Sequence, residues 1–115
     1  MKVKQIRALI KSPGEEPRTE YVDNTVSNFQ EIMGGEYLIA SVLGFDVALF
    51  FINNAKNKYN CKIFNVELYG TILFTSTTPQ GVPKDITDED VSFVKRYIIP
   101  PNSKNKGVRA AISFI

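Results

Sequence analysis

The stretch Val47–Ile52, which reads VALFFI, is apolar on both faces of an extended chain. A strand with one solvated face alternates apolar and polar residues, so this pattern is typical of a central strand that is covered on both sides. The cover comes from the chain itself or, on one face, from a second protomer. We predict a strand over Asp46–Ile52. Its partner is Glu36–Leu43, which joins it through a tight turn at Leu43–Asp46.

Four further extended segments are predicted around this strand. Val3–Ile10 places Ile6, Ala8 and Ile10 on one side, and the turn signal Ser12-Pro13-Gly14 leads to a return strand over Arg18–Val22. Phe64–Leu68 is a short extended piece, and Tyr69–Thr75 is a strand. The first pair therefore predicts a β-hairpin.

A short helix is predicted over Asn24–Met33. Asn24 or Thr25 can cap it, because their side-chain oxygens accept from free N–H groups of the first turn. Gly34-Gly35 ends the helix, since glycine accepts the left-handed conformation there. The residues predicted to share its core face are Val26, Phe29, Ile32 and Met33.

A second helix is predicted to open at residues 85–90, DITDED, and to stop at Pro100-Pro101. Thr87 as N-cap with Asp90 three residues later approximates a capping box, and the acidic first turn suits the helix dipole. Its predicted core residues are Val91, Val94 and Ile98, with Tyr97 beside them.

These elements predict an α+β fold. A small mixed or antiparallel sheet of about five to six strands would be covered by two short helices, in the order β-β-α-β-β-β-α with an added strand. Residues 1–101 form the single predicted domain, and residues 102–115 are a C-terminal extension. That extension ends in VRAAISFI, whose apolar surface favours pairing with its own sheet edge or a partner's. We therefore expect a homo-oligomer, most simply a two-fold dimer.

Composition limits the chemistry that the chain can perform. The 115 residues contain no histidine and one cysteine, Cys61, so neither an imidazole-based triad nor a Cys/His zinc site can be assembled. We expect no enzyme activity, no cofactor and no metal. The formal charge of +2 favours neither nucleic acid nor membrane as a partner. No apolar run approaches the ~20 residues of a membrane span, and a cytoplasmic location in the host cell is expected.

Residues 53–62, NNAKNKYNCK, form the most polar stretch and are predicted to be a loop. Lysines can hold phosphates, asparagines can pair with a base edge, and a tyrosine can stack on the base. The loop therefore suits a nucleotide-derived signal, although an ordinary solvated loop has the same composition. The candidate ligand-binding residues are Asn53, Asn54, Lys56, Lys58, Tyr59, Lys62 and Asn65.

Three other groups of residues have simpler explanations. Asp85, Asp88, Glu89 and Asp90 could hold a divalent cation, but their spacing is not that of an EF-hand and helix capping explains them. Gly34-Gly35 could approach an anion, but ending a helix is sufficient reason for both glycines. The remaining group is Cys61 beside Lys62, which has no second thiol near it in sequence.

An ordered set of short signatures resembles the DUF3846 domain family over roughly residues 1–98. The chain differs from that family in its lysine-rich loop at 53–62 and its added tail at 102–115. The resemblance implies a phage, plasmid or integrated-element setting and no established chemistry. The matching residues are Ile32–Gly35 with the two strands that follow, Asn53-Asn54, Lys56, Asn65, Tyr69–Phe74 and Asp85–Asp90.

Two classes of function follow from these observations. In the first, a non-catalytic binding protein of a phage or mobile element counters a host defence, either by sequestering a nucleotide-derived signal or by docking on a host defence protein through a strand edge or apolar patch. In the second, the chain is a structural or regulatory accessory protein of the element. An enzyme would have only lysine, carboxylate or tyrosine chemistry available.

Overall fold

The computed structural model describes residues 4–42, 45–52, 54, 56–63, 66–99 and 112–114. These residues form two helices and one sheet, which is the α+β fold with an antiparallel sheet that the sequence predicts. The elements in chain order are β1 (Gln5–Lys11), β2 (Arg18–Asp23), α1 (Val26–Met33), β3 (Leu38–Val42), β4 (Val47–Ile52), β5 (Tyr59–Ile63), β6 (Val66–Thr77), β7 (Pro83–Lys84), α2 (Asp88–Tyr97), β8 (Ile98–Ile99) and β9 (Ile112–Phe114).

The strand β4 lies inside the sheet, whose main order is β2-β1-β6-β4-β3-β9 with antiparallel neighbours. Val47, Leu49 and Phe51 pack in a core with Val91 and Val94 of α2. Ala48 and Phe50 pack on the other face, in a second core with Phe29 and Met33 of α1. Elements of the same chain therefore cover both faces of VALFFI. We call these the α2 face and the α1 face.

The long strand β6 organises the part of the sheet that matters for the site. β4 occupies one edge of β6, from Tyr69 to Ser76. Along the other edge β5 pairs with residues 66–69, β1 with residues 72–74 and β7 with residues 76–77. β5 also pairs with β8, at the end of α2. The β1–β2 hairpin and the β5–β8 pair thus branch from neighbouring stretches of one strand.

The helix α1 is capped at both ends as predicted. The hydroxyl of Thr25 accepts from the backbone N–H of Asn28 at 3.1 Å, and Gly34 has a φ of +91°, in the left-handed region that glycine tolerates. Phe29 packs edge-to-face on Phe50 at a centroid distance of 5.2 Å. The prediction that Val26 lies on the core face of the helix is wrong, since Val26 is 63% exposed. Val26 is the first helical residue, and the buried contacts of α1 begin one turn later.

The helix α2 begins three residues after the predicted start at Asp85. Asp85 and Ile86 instead lie along the edge of β1 and bond to Arg7. The N–H of Arg7 donates to the Asp85 carboxylate at 2.8 Å, and the N–H of Ile86 donates to the Arg7 carbonyl at 2.9 Å. Thr87 is the N-cap, as predicted, and its hydroxyl accepts from the N–H of Asp90 at 3.1 Å. Val91 and Val94 are buried, as predicted.

The assignment of residues 53–62 to a loop is wrong for their second half, because Tyr59–Ile63 form β5. Cys61 and Ile63 are fully buried on the α2 face, and Asn60 is fully buried as well. Pairing with both β6 and β8 holds this polar segment in the sheet. β5 and the two-residue strands β7 and β8 bring the described strands to nine, above the five to six predicted.

The strand β9 lies within the C-terminal segment for which a strand is predicted. It pairs antiparallel with β3 of the same chain, at Val42 with Ile112 and Ala40 with Phe114. The turn predicted at Leu43–Asp46 lies partly outside the described residues, and the spacer predicted at Asn102–Gly107 lies entirely outside them.

Candidate binding site

β1 and β5 pair with neighbouring stretches of the same edge of β6, and we call the gap between them the seam. The buried side-chain amide of Asn60 bridges this seam. Its Nδ2 donates to the carbonyl of Lys11 at 2.8 Å and to the carbonyl of Gly70 at 2.6 Å. Its Oδ1 accepts from the Nζ of Lys11 at 3.0 Å. Both N–H groups and the oxygen are thus satisfied, as a fully buried amide requires. Asn60 replaces the backbone pairing that is missing where β1 ends and β5 begins.

Gly70 lies opposite this seam and allows the local irregularity. Its φ is +72°, and a Cβ built on it would lie 3.2 Å from Nδ2 of Asn57. Its N–H donates to the carbonyl of Lys58 at 2.7 Å. The register of β5 against β6 shifts between Tyr59 and Cys61. A side chain at position 70 would therefore strain the backbone and crowd the turn that precedes β5.

Lys11 carries a buried positive charge beside the seam. Its residue is 5% exposed, and its Nζ donates to Asn60 and to the carbonyl of Ser12 at 3.1 Å. Both acceptors are neutral, and in the described part of the chain no carboxylate forms an ion pair with Lys11. An ammonium has three N–H groups, and the described residues provide acceptors for two of them, so one remains for another acceptor. Burying a charge without a counterion is costly, and an anion bound beside Lys11 would offset that cost.

A cleft of about 420 Å³ opens next to Lys11, between the β1–β2 hairpin and the end of α2. Among the described residues, the ionisable side chains that line it are two lysines and two glutamates. We call it the Lys11 cleft, and it is lined by Lys11, Gly14, Glu15, Glu16, Pro17, Lys95 and Ile98. Lys95 belongs to the last turn of α2, where the carbonyls of the helix end favour a cation.

The structure places the predicted ligand-binding residues in three different positions. Asn54 and Lys56 are exposed in a turn, where Oδ1 of Asn54 accepts from the N–H of Lys56 at 3.0 Å, and neither lines the cleft. Lys58 is exposed, and its Nζ lies 4.0 Å from the position that a Cβ of Gly14 would occupy. Lys58 does not itself line the Lys11 cleft, but its Nζ lies beside Gly14, which does, and we call this position the rim of the cleft. Asn53 and Asn65 lie outside the described residues.

Tyr59 and Lys62 are half-buried strand residues and not loop residues. The ring of Tyr59 packs edge-to-face on Tyr69, at a centroid distance of 5.4 Å and an angle of 74°. Burial raises the pKa of the Tyr59 hydroxyl, and the charges of Glu67, Cys61 and Tyr69 raise that pKa further. Tyr59 is therefore a neutral phenol at physiological pH. Lys62 lies opposite Glu67 of β6 and Ile99 of β8.

Cys61 is a core residue. It is fully buried, and that burial raises the pKa of its thiol to about 11 although the charge of Lys11 lowers it. At neutral pH the group is a thiol, while the nucleophilic form is the thiolate. Its position and its pKa both fit packing.

Three of the four acidic residues at and just before the start of the second helix have structural partners. Asp85 accepts from the N–H of Arg7, Asp88 accepts from the Arg7 guanidinium at 2.9 Å, and Asp90 accepts from the hydroxyl of Ser76 at 2.5 Å. These contacts fasten the start of α2 to β1 and β6. Among the described residues no three metal-binding side chains form a cluster.

Sequence reasoning missed the two residues that define the site, Lys11 and Asn60. Lys11 follows Arg7 and Leu9 at a spacing of two, which assigns it to one face of β1, but a lysine just before a turn has the pattern of a solvated strand end. Asn60 stands in the polar sequence NNAKNKYNCK, which has the composition of a loop. Only the pairing of distant strands brings these two residues together.

Comparison with known proteins identifies no relative of this chain. No protein-family model, curated protein or solved structure matches the chain. The resemblance to the DUF3846 domain family therefore stays a hypothesis that rests on the signatures quoted above. None of the helices in the described part of the chain has the length and hydropathy needed to cross a membrane.

Proposed function

We propose that this chain is a non-catalytic binding protein that sequesters a small nucleotide-derived signal in the Lys11 cleft. Its biological setting, a phage or mobile element countering a host defence from within the host cytoplasm, rests on the resemblance alone. The observation that carries the binding proposal is the buried ammonium of Lys11, which has two neutral acceptors and no carboxylate partner among the described residues.

A phosphate suits this environment better than a water molecule does. A phosphate oxygen can accept the free N–H of Lys11 and neutralise its charge, and charge-assisted hydrogen bonds are stronger than neutral ones. Lys95 supplies a second cation on another wall of the cleft. Because the ammonium of Lys11 donates a hydrogen bond to Oδ1 of Asn60, the cation is held in place before a ligand binds. Such preorganisation lowers the ordering cost of binding.

The lysines of the 53–62 segment have a graded role in this proposal. Lys58 lies at the rim of the cleft and would attract and hold the ligand from outside. Lys56 lies in an exposed turn, where its backbone N–H donates to Oδ1 of Asn54, and it would contribute only to the general electrostatic field. Lys58→Ala should therefore weaken nucleotide binding severalfold more than Lys56→Ala does. Equal effects of the two changes would favour the solvated-loop interpretation.

The first test uses the native protein and a panel of nucleotides. Calorimetry with nucleoside monophosphates, triphosphates and cyclic nucleotides should find at least one ligand that binds with 1:1 stoichiometry. The protein is then denatured, and the released nucleotide is identified by mass spectrometry. Intact ligand supports sequestration, whereas a converted product would identify an enzyme. Absence of binding by every nucleotide would refute the proposal.

A host-protein partner is the second candidate, and the exposed edge strand β2 favours it. Arg18, Thr19, Glu20 and Tyr21 are all exposed, and Tyr21 is 64% exposed. β2 ends the main order of the sheet on one side, so a partner strand could add there by β-augmentation. Thr19→Pro would remove a backbone donor from this strand. In this alternative, that change abolishes partner binding while the lysines of the cleft are dispensable.

A further inference from the structure

The Lys11 cleft has a mixed charge that restricts which nucleotide it can take. Lys11 comes from the end of β1 and Lys95 from the last turn of α2. Glu15 and Glu16 come from the β1–β2 turn and line the same cleft. The formal charges of these four side chains cancel. A ligand with several negative groups would be attracted at the lysines and repelled at the turn.

The carboxylates of Glu15 and Glu16 differ in their ion-pair partners. Glu15 lies 3.7 Å from the guanidinium of Arg18, in an exposed pair. Glu16 has no ion pair or side-chain hydrogen bond with another described residue. An ionised carboxylate can only accept hydrogen bonds, so a ligand that meets Glu16 must donate one.

Building on the proposed function, we infer that the Lys11 cleft selects a nucleotide with one phosphate group and an exocyclic amino group on its base. The phosphate lies against Lys11 and Lys95, and the amino group donates to the Glu15–Glu16 turn. A triphosphate would place additional negative charge in a cleft whose second pair of ionisable residues is acidic. The amine gives the carboxylates a donor in place of the water they lose.

The size of the cleft agrees with a single nucleotide. Ligand pockets commonly range from about 300 to 1,000 Å³, and 420 Å³ lies in the lower part of that range. A cyclic dinucleotide carries two phosphates and two bases, so it exceeds the cleft in charge and in bulk. The chemical class is therefore an amine-bearing mononucleotide.

The experiment is a calorimetric comparison of matched nucleotides on the native chain. The monophosphates of adenosine, guanosine and cytidine are each compared with their own triphosphates and with the monophosphates of purine riboside, inosine and zebularine, which lack the respective amino group. The best amine-bearing monophosphate should bind about tenfold tighter than its triphosphate and than its amine-free analogue. In the double variant Glu15→Gln/Glu16→Gln both preferences should collapse. Glu89→Gln, at the other end of α2, is the matched control and should retain them.

The outcomes separate the inference from the proposed function. If no nucleotide binds, the proposed function fails and the inference fails with it. If a triphosphate or an amine-free monophosphate binds best, or if the double glutamine variant keeps the native preferences, the proposed function stands and the inference is overturned. A folded double variant, checked by its unchanged unfolding midpoint, makes that second result decisive.

Discussion

Nζ of Lys11 lies 3.0 Å from Oδ1 of Asn60, a side-chain contact that joins residues 49 positions apart in the chain. The same amide donates to the carbonyl of Lys11, so the two residues are connected in both directions. Asn60 thereby does two things. It closes the seam between β1 and β5, and it holds a cation at the wall of a cleft. The free energy of unfolding and the proposed ligand binding both depend on Lys11 and Asn60. Substitutions at these two positions should affect the two properties to different degrees.

Asn60→Ala should destabilise the fold. The change removes three hydrogen bonds and leaves buried carbonyls without donors, so we expect a loss on the order of 3 kcal/mol in the free energy of unfolding. Asn60→Asp should also destabilise the protein, because a carboxylate cannot donate to the carbonyls of Lys11 and Gly70. Urea denaturation measures both, with the exposed Asn54→Ala as control. A loss below about 1 kcal/mol for Asn60→Ala would contradict the sealing role.

The first helix provides a contrast between a buried and an exposed apolar residue. Phe29 is 3% exposed and packs on Phe50 and Tyr37, so Phe29→Ala should cost roughly 3–5 kcal/mol. Val26 is 63% exposed, and Val26→Ala should change stability by no more than about 0.5 kcal/mol. Thermal or urea unfolding of the two variants tests the orientation of α1. Similar losses of stability in both variants would contradict this orientation of α1.

Alkaline pH should weaken the fold through Cys61. The folded-state pKa of its thiol is about 11, above the ordinary 9.0, because burial disfavours the thiolate. Between these values the unfolded chain has lost a proton that the folded chain still holds, so the free energy of unfolding falls as pH rises from about 9 to 11. Below pH 9 this contribution is fully present. Unfolding measured across that window should show a shallower decline for Cys61→Ala than for the native chain, and parallel curves would contradict the buried thiol.

The C-terminal strand bears on the oligomeric state. β9 pairs with β3 of its own chain, and the same pairing could form between two copies that exchange their tails. We retain the two-fold dimer as a proposal on that basis. Light scattering should then find a dimer for the full chain and a monomer for a version that ends at Pro101. Identical masses for the two would remove the tail from the interface.

The sequence predicted the parts of the fold that depend on local pattern. VALFFI identified a strand buried on both faces because its apolar residues leave no side for water. Thr25, Gly34 and Thr87 identified helix ends because their side chains, or the lack of one, act on the nearest backbone groups. The start of α2 was placed three residues early, since Asp85 and Ile86 are drawn to the edge of β1, which is distant in sequence.

The site was less predictable, because buried polar residues have no signature in hydropathy. Asn60 looks like a loop residue, yet it is fully buried and satisfied by three hydrogen bonds. Of the two predicted lysines, Lys58 has its Nζ beside Gly14 of the cleft, and neither Lys58 nor Lys56 lines the cleft itself. The two lysines differ in position because Lys56 lies in the turn before β5 and Lys58 directly precedes the strand. Composition could indicate lysines suited to an anion, but not which of them meet in space.

The most direct measurement of the binding proposal is nucleotide titration of Lys11→Met, with Lys84→Ala as a control for the loss of one positive charge. Methionine keeps much of the length and removes a buried charge, but it leaves the buried Oδ1 of Asn60 without its donor, so we expect a loss of about 1–3 kcal/mol in the free energy of unfolding. Urea denaturation establishes that the variant is folded before it is titrated. Binding should be lost in Lys11→Met and kept in Lys84→Ala. If Lys11→Met binds the nucleotide as tightly as the native chain does, Lys11 is not the anion site and the account is wrong.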